Sequence, residues 1–354
     1  MASNTGETHL PTSEAFLIPE RTSAWAWFAI ARRELWRFLP AWMYLIYACL
    51  LLNTELTNFS PPRPDLATTI VFPLAVFVVF YAVRALKAPD VQQRLGMLAI
   101  IVTLAFGLPM LNLSFHRPSP LALDTLLRFY EYSNFLWAGV LIAHAWKHRR
   151  SHVALFFGVG LVYGAVLENG GIVLGFFHEM NLGSTMVKPM VAPIATMIGW
   201  CVVLYMATWV VWRLRDWLPW LRRSTMLSAL AVGGFATMLD LQIDPIATAA
   251  GCWVWHQSLP GFFHGVPLVN FVAWMCALTP FAYVMFRLQD RFALRDNAHW
   301  TRRQLLIGLA AAPATLTLAA LAFMVCTVVI EGARGPSWTI LNEFTVRALS
   351  LVGS

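Results

Sequence analysis

Stretches of about 20 mostly apolar residues recur along this chain, and each is long enough to cross a bilayer as a helix. Hydrophobic residues make up 58% of the 354 residues and charged residues only 12%, whereas about a quarter of the residues of a soluble domain are charged. Inside a bilayer a helix hydrogen-bonds its own backbone, which an irregular segment does not. The sequence therefore predicts an all-α fold, a polytopic helical membrane protein.

The apolar stretches predict about nine transmembrane helices. We place them at 39–56, 66–86, 95–113, 125–146, 151–177, 190–212, 226–247, 267–287 and 304–330. Residues 1–38 are expected to form a polar N-terminus and an interfacial helix, residues 39–330 the transmembrane domain, and residues 331–354 a C-terminal tail. The first 22 residues are polar and lack the basic start and apolar core of a secretory signal peptide.

Basic residues are distributed unevenly between the two sets of alternating connections. One set carries nineteen Lys and Arg residues and the other carries five. Because cytoplasmic connections are enriched in Lys and Arg, the N-terminus is predicted to be cytoplasmic, in a multi-pass protein of the cell inner (cytoplasmic) membrane. The net charge of +7 lies at span ends and not on one face, so we expect no nucleic acid partner.

Four acidic residues fall inside the predicted spans at similar depth, in the half away from the cytoplasm: Glu131, Glu168, Asp240 and Asp244. Acids within spans are costly and usually face the bundle interior or a water-filled cavity. We therefore predict one cavity that leans to the outer side of the membrane.

Asp240 and Asp244 are four residues apart and share one helix face. Two close carboxylates in a low-dielectric site do not both ionise cheaply, so one is expected to hold a proton and to act as an acid. Alternatively, Asp244 and Pro245 mark the end of the span, and a neighbouring helix satisfies Asp240. For Glu168, a functional and a structural role are both open.

A loop without Lys or Arg follows the two aspartates and is rich in aromatic residues. The predicted substrate-binding residues are Trp253, Trp255, His256, Phe263 and His264, together with Asn270 and Trp274 of the next span. Aromatic ring faces attract cations, so such a loop can stabilise a carbocation. The alternative is an interfacial aromatic belt, with Asn270 as a helix cap.

We predict no metal site. The five cysteines are scattered without a CxxC motif. His144, His148 and His152 follow one another at intervals of four residues, but Lys and Arg residues are interleaved with them. The prediction for these histidines is a solvated basic connection.

Three motifs carry a resemblance to a known family: "VLENGGIVLGFF", "PMVAPIATMIGW" and "DLQIDPIATAAGCWVWHQSLPGFFHGVPLVNFVAW". They resemble the integral-membrane carotenoid biosynthesis family that includes the carotenoid 1′,2′-hydratases, such as bisanhydrobacterioruberin hydratase and γ-carotene hydratase. The resemblance spans about 155–290, and residues 1–110 and 300–354 show no such match. Members of that family usually have a tyrosine before GVP, where this chain has His264.

The resemblance implies hydration of an isolated terminal C=C bond of a linear carotenoid or related isoprenoid. Asp240 or Asp244 would protonate the alkene, and Trp253, Trp255 and Trp274 would stabilise the tertiary cation. Water oriented by Glu168, the second aspartate or Asn270 would then capture it. No cofactor is expected, and the expected partners are a lipophilic polyene from the bilayer and membrane lipid. The oligomeric state is open.

Three other functions are compatible with these residues. The same acid could start cyclisation or isomerisation of a polyene, terpenoid or polyketide. The DxxxD spacing of Asp240 and Asp244 is found in membrane prenyltransferases, but the chain has no second aspartate-rich motif. A non-enzymatic lipid or pigment binder, or a transporter, is the third, and no clear inverted repeat supports a transporter.

Overall fold

The computed structural model describes residues 32–58, 64–88, 91–102, 123–178, 187, 189–256, 259–292, 302–334, 346 and 349–350. The chain divides into two compact units, residues 1–38 and 39–354. In the first unit, residues 32–37 are helical, and the predicted polar N-terminus up to residue 31 lies outside the described residues. The second half of the predicted span 95–113 and most of the predicted C-terminal tail also lie outside them.

The second unit is built almost entirely of helices. They are α1 (Leu39–Asn58), α2 (Pro64–Lys87), α3 (Val91–Val102), α4 (Leu123–His148), α5 (Arg150–Val173), α6 (Ile194–Arg215), α7 (Pro219–Arg223), α8 (Thr225–Ala249), α9 (Leu268–Phe292) and α10 (Arg302–Arg334). Within α5, Val153–Val159 form a π-helical segment. Four short strands are present: β1 (Phe177–His178), β2 (Val254–Trp255), β3 (Gly261–Phe263) and β4 (Val266–Pro267). They pair antiparallel as β1–β2 and β3–β4.

Five of the described helices are long and apolar enough to cross a membrane: Arg150–Val173, Ile194–Arg215, Thr225–Ala249, Leu268–Asp290 and Leu306–Ala333. The prediction of an all-α, multi-pass membrane protein is therefore confirmed, with two short antiparallel strand pairs added. The number of nine spans and the cytoplasmic N-terminus stay predictions.

Helix α6 lies at the centre of the second unit. Every residue from 201 to 211 is buried, and the helix packs against α1, α4, α5 and α8. A helix that is apolar on all sides is expected in such a position. In contrast, α10 exposes large apolar side chains along its length, among them Leu321, Val325 and Val329, as a helix at the edge of a membrane bundle does.

Of the three histidines that were predicted to form a solvated connection, His144 and His152 are buried and His148 is half-buried, so that prediction is wrong. His144 is 0% exposed and His152 is 1% exposed. The Nδ1 atom of His144 lies 3.0 Å from the hydroxyl of Tyr205, and the Nε2 atom of His152 lies 2.7 Å from the side-chain nitrogen of Gln289. The spacing of four residues places His144 and His148 on one helix face, which packs inward while the interleaved Lys147 faces outward.

Candidate functional site

Helices α5 and α8 end in the same way. Their ends bring together two aromatic segments, residues 176–177 and residues 253–255. Gly175 and Gly251 have φ angles of 78° and 72°, which glycine adopts without a clash of a Cβ atom. At the first end, the N–H of Phe176 donates to the carbonyl of Gly171 at 2.9 Å. At the second, the N–H of Cys252 donates to the carbonyl of Ala247 at 2.8 Å. These are Schellman motifs, and each reverses the chain directly before an aromatic segment.

The two aromatic segments then pair with each other. Phe177 lies opposite Trp255 in the β1–β2 ladder, and their ring centroids are 5.5 Å apart. The indole N–H of Trp255 donates to the hydroxyl of Thr248 at 3.1 Å. Trp253 is only 8% exposed. The loop is therefore fixed over the ends of α5 and α8, and does not form a freely exposed aromatic belt.

A cavity of about 450 Å³ lies beside this loop and is enclosed mainly by α5, α6, α8, α9 and α10. Its volume is within the range of about 300–1,000 Å³ that is typical of small-molecule sites. The lining is mostly apolar, and its charged side chains are Glu168 and Asp244. No lysine or arginine is found among the described residues that line it.

Asn270 joins the two aspartates at the wall of this cavity. Its Nδ2 atom donates to Oδ2 of Asp240 at 2.8 Å and also to Oδ2 of Asp244. An amide nitrogen carries two hydrogens, so it serves one oxygen of each carboxyl group. Because both carboxyl groups accept from the same nitrogen atom, they lie beside each other. The three side chains form one cluster, which we call the acid pair and its amide.

The two aspartates differ in their access to the cavity. Asp244 is 4% exposed and lines the cavity, whereas Asp240 is 0% exposed and lies behind it. Oδ1 of Asp240 receives no hydrogen bond from any group in the described part of the chain. Helix α8 continues past Pro245 to Ala249, so the alternative that Asp244 and Pro245 end the span is wrong. The alternative also expected a hydrogen bond from a neighbouring helix to Asp240, and this part is correct, because Asn270 of α9 donates to one oxygen of Asp240.

Glu168, which also lines the cavity, accepts a hydrogen bond from an indole. The N–H of Trp200 donates to Oε2 of Glu168 at 2.9 Å. Trp200 in turn stacks on Trp274, with ring centroids 4.5 Å apart and planes inclined by 22°. The adjacent Asn169 has a different task, because its Oδ1 atom accepts two backbone N–H groups of the segment before α6 at 3.0 and 2.9 Å. Glu168 thus fixes an aromatic ring and still faces the cavity.

The structure brings most of the predicted site residues together. The cavity is lined by Glu168, Asp244, Trp253, Trp255, Asn270 and Trp274. Four other predicted residues are not among its lining residues: Asp240, His256, Phe263 and His264.

The β3–β4 hairpin explains the position of two of these four residues. It turns at His264, whose φ angle is 48°, and the rings of Phe263 and His264 pack against each other at 4.5 Å. Phe263 also packs against Phe271 at 6.1 Å. Glu131, the fourth intramembrane acid, accepts the backbone N–H of Val187 at 3.2 Å and does not line the cavity.

Several lining residues were not among the predicted site residues. Among them are Tyr47, Tyr130, Phe176, Phe177 and Trp200, and four residues of α10, namely Leu316, Ala319, Ala320 and Phe323. The sequence could have indicated Trp200 as a site residue, because Trp200 ends the "PMVAPIATMIGW" motif. No sequence pattern indicated the α10 residues, because those that line the cavity are all apolar.

Comparison with known proteins places these elements in one family. The model of the carotenoid biosynthesis protein family matches residues 130–336, which is more than half of the 354 residues. The chain belongs to the carotenoid biosynthesis protein family. No curated protein and no solved structure matches the chain.

The match to the carotenoid biosynthesis family is wider than the sequence motifs indicated. It includes every lining residue of the cavity except Tyr47. The expectation that residues 300–354 show no match is wrong for residues up to 336, because the match includes all of α10. This helix forms one wall of the cavity, so its inclusion agrees with the geometry. The protein therefore has a role in carotenoid biosynthesis.

The arrangement supports acid chemistry in an apolar space. Among the residues that the structure describes, no three His, Cys, Asp or Glu side chains come together as the ligands of a metal ion would. The polar groups that the cavity offers are two carboxyl groups, one amide, indole N–H groups and hydroxyls. Such groups can donate a proton, accept one and orient water.

Proposed function

We propose that this protein hydrates an isolated terminal C=C bond of a linear carotenoid or related isoprenoid. The observation that carries the proposal is the acid pair and its amide, Asp240, Asn270 and Asp244, at the wall of an otherwise apolar cavity. Membership of the carotenoid biosynthesis family supplies the class of substrate. Such a substrate is lipophilic, so we expect it to reach the cavity from the bilayer.

The first step is protonation of the alkene by Asp244. Two adjacent buried carboxyl groups without a nearby cation share one proton more cheaply than they hold two charges. Asp244 faces the cavity, so we assign it the proton transfer to the less substituted alkene carbon. Asp240 and Asn270 act as positioning residues, because they hold Asp244 and its proton in place. The transfer breaks the C=C π bond and leaves a tertiary carbocation.

The second step is stabilisation of the cation and its capture by water. Trp253, Trp255 and Trp274 line the cavity, and the faces of indole rings attract positive charge. A water molecule then forms the C–O bond and passes one proton to a carboxylate, either Glu168 or the aspartate that donated. The product is a tertiary alcohol. One proton is given and one is recovered, so the step balances without a further reactant.

Cyclisation or isomerisation by the same protonation is the second candidate. The largely apolar lining of the cavity favours it, because a second double bond of the same substrate can capture the cation where water is scarce. The two reactions have the same first step and differ in the mass of the product. Hydration adds one water, whereas cyclisation and isomerisation leave the mass unchanged.

Mass spectrometry of pigments from a host that makes lycopene or a related linear carotenoid tests the proposal. With the protein present, we expect a product heavier by one water, and labelled oxygen from heavy-oxygen water in that product. Asp244→Asn should lower product formation at least ~100-fold, the range of a lost general acid.

Asp216→Asn is the matched control. Asp216 is exposed, and its ion pair with Arg213 spans 3.5 Å, so this change should have little effect. A product of unchanged mass would favour cyclisation or isomerisation. Full activity of a folded Asp244→Asn variant would contradict the assignment of the acid.

A further inference from the structure

A second apolar space adjoins the cavity. This groove of about 80 Å³ lies between α1, α4 and α8 and ends at the loop that follows α8. Its described lining residues carry no charged side chain, and its polar groups are the hydroxyls of Tyr47, Tyr130 and Ser133, the indole N–H groups and the Cys252 thiol.

Two of these polar groups have little to offer a polar ligand. The hydroxyl of Ser133 donates to the carbonyl of Tyr130 at 2.9 Å within its own helix. Burial raises the pKa of the Cys252 thiol to about 12, so it is uncharged at neutral pH. The groove is therefore suited to hydrocarbon.

The groove and the cavity share a wall. Four side chains line both spaces: Tyr47, Tyr130, Ile243 and Trp253. Ile243 directly precedes Asp244 in α8, so the groove begins beside the acid pair. Only these four side chains therefore separate the groove from an extended molecule whose end lies at Asp244.

We propose that the groove binds the apolar chain of the substrate behind its reactive end. This inference rests on the proposed function, which places the reactive double bond at Asp244. The cavity of about 450 Å³ has the size of a site for a compact small molecule, whereas a linear carotenoid continues far beyond its terminal double bond. The groove supplies additional apolar surface, which favours long acyclic chains over short ones.

Ser133→Phe tests the inference because it fills the groove from the middle of α4. Ser133 lines the groove and not the cavity. Its hydroxyl donates to one carbonyl of α4, and that carbonyl keeps its hydrogen bond within the helix when the hydroxyl is lost. Leu136→Phe is the matched control, because Leu136 lies one turn further along α4 and is 68% exposed.

Two substrates are compared with each variant: a linear carotenoid, and a short acyclic isoprenoid with the same terminal double bond. We expect Ser133→Phe to lower the ratio of kcat/KM for the long over the short substrate by roughly tenfold or more, as loss of a few hydrophobic contacts does. Leu136→Phe should leave this ratio unchanged. An unchanged ratio in folded Ser133→Phe would overturn the inference.

A binding measurement separates this inference from the proposed function. Pigment retained by the purified, inactive Asp244→Asn variant is quantified by absorbance, with and without Ser133→Phe. We expect the added Ser133→Phe change to weaken carotenoid retention about tenfold. If phenylalanine prevents folding, Ser133→Leu is used in its place. The contrary result is that retention falls with Ala320→Phe, on the α10 wall, and is unchanged by Ser133→Phe and Ser133→Leu. That result would show that the chain leaves between α5 and α10, and it would overturn the inference. Wild-type protein that retains pigment and forms no alcohol would contradict the proposed function alone.

Discussion

At the scale of single residues, Asn270 decides how the two aspartates are arranged. It lies 30 positions from Asp240 in the sequence and donates to it at 2.8 Å. Without this amide, both carboxyl groups would be buried with fewer hydrogen bonds, and an unsatisfied buried polar group costs about 1–3 kcal/mol. Asn270 therefore has a structural and a chemical task at once.

A double-mutant cycle tests this coupling. Asn270→Ala and Asp240→Ala each remove the same hydrogen bond, so the double variant should lose less stability than the sum of the single losses. Contacting residues typically show about 0.5–3 kcal/mol of such non-additivity. The free energy of unfolding in detergent is the measurement. The pair Asn270→Ala and Asp216→Ala is the control and should be additive, and additive losses for the Asp240 pair would contradict the coupling.

At the scale of elements, the close approach of α5 and α6 sets the position of the Glu168–Trp200 hydrogen bond. A Cβ atom at Gly164 would lie 2.8 Å from Cβ of Trp200 and 3.0 Å from the carbonyl oxygen of Met197. Neither atom can move without the backbone of α6. Glu168 lies one turn further along α5, so the glycine allows the carboxylate to reach the indole N–H.

We expect Gly164→Ala to push α5 away from α6. Overpacking of this kind costs about 1–3 kcal/mol of the free energy of unfolding, and the rate of the proposed hydration should fall because the Trp200 ring moves. Gly158→Ala, in the same helix, is the control. Nothing lies within 4 Å of a Cβ atom there, so alanine should stabilise the helix by about 0.5–1 kcal/mol. Equal thermal stabilities of the two variants would show that the helices do not approach this closely.

At the scale of the whole molecule, two buried polar regions have separate tasks. The acid pair lies at the cavity. The other region, which we call the histidine cluster, consists of His144, Tyr205, His152 and Gln289, and it joins helices that are distant in sequence. His144 connects α4 to Tyr205 of α6, and His152 connects α5 to Gln289 of α9. None of these four residues lines the cavity. The cluster therefore holds the bundle together and takes no direct part in the proposed chemistry.

His152→Phe should separate stability from activity. Phenylalanine preserves a ring beside Phe156 and Tyr205, but leaves the buried amide of Gln289 without its partner. We expect the free energy of unfolding to fall by about 1–3 kcal/mol, while the rate of the proposed hydration per folded protein stays at the wild-type value. The measurements are thermal unfolding in detergent and turnover at a temperature where both proteins are folded. A lower rate in fully folded protein would connect the cluster to the reaction.

The sequence by itself determined the class of fold, and it indicated the family and the carboxyl pair on which the proposed chemistry rests. Apolar length is a local property, so the helical membrane fold could be predicted without any contact between helices. The spacing of Asp240 and Asp244 is also local, because residues four apart share a helix face. The motifs around Glu168, Trp200 and Asn270 indicated the carotenoid biosynthesis family for the same reason, since each is a short run of neighbouring residues.

Only the tertiary structure decided which of these residues meet. The bonds of Asn270 to the acid pair and of Trp200 to Glu168 join different helices, and no local pattern fixes which faces of two helices pack together. For the same reason, the wall formed by α10 and the burial of His144 and His152 were not predicted. The β3–β4 hairpin places Phe263 and His264 outside the cavity lining, although Trp255 before the hairpin and Asn270 after it line the cavity. Helix packing and chain reversals set these distances, and both depend on contacts between residues that are far apart in the chain.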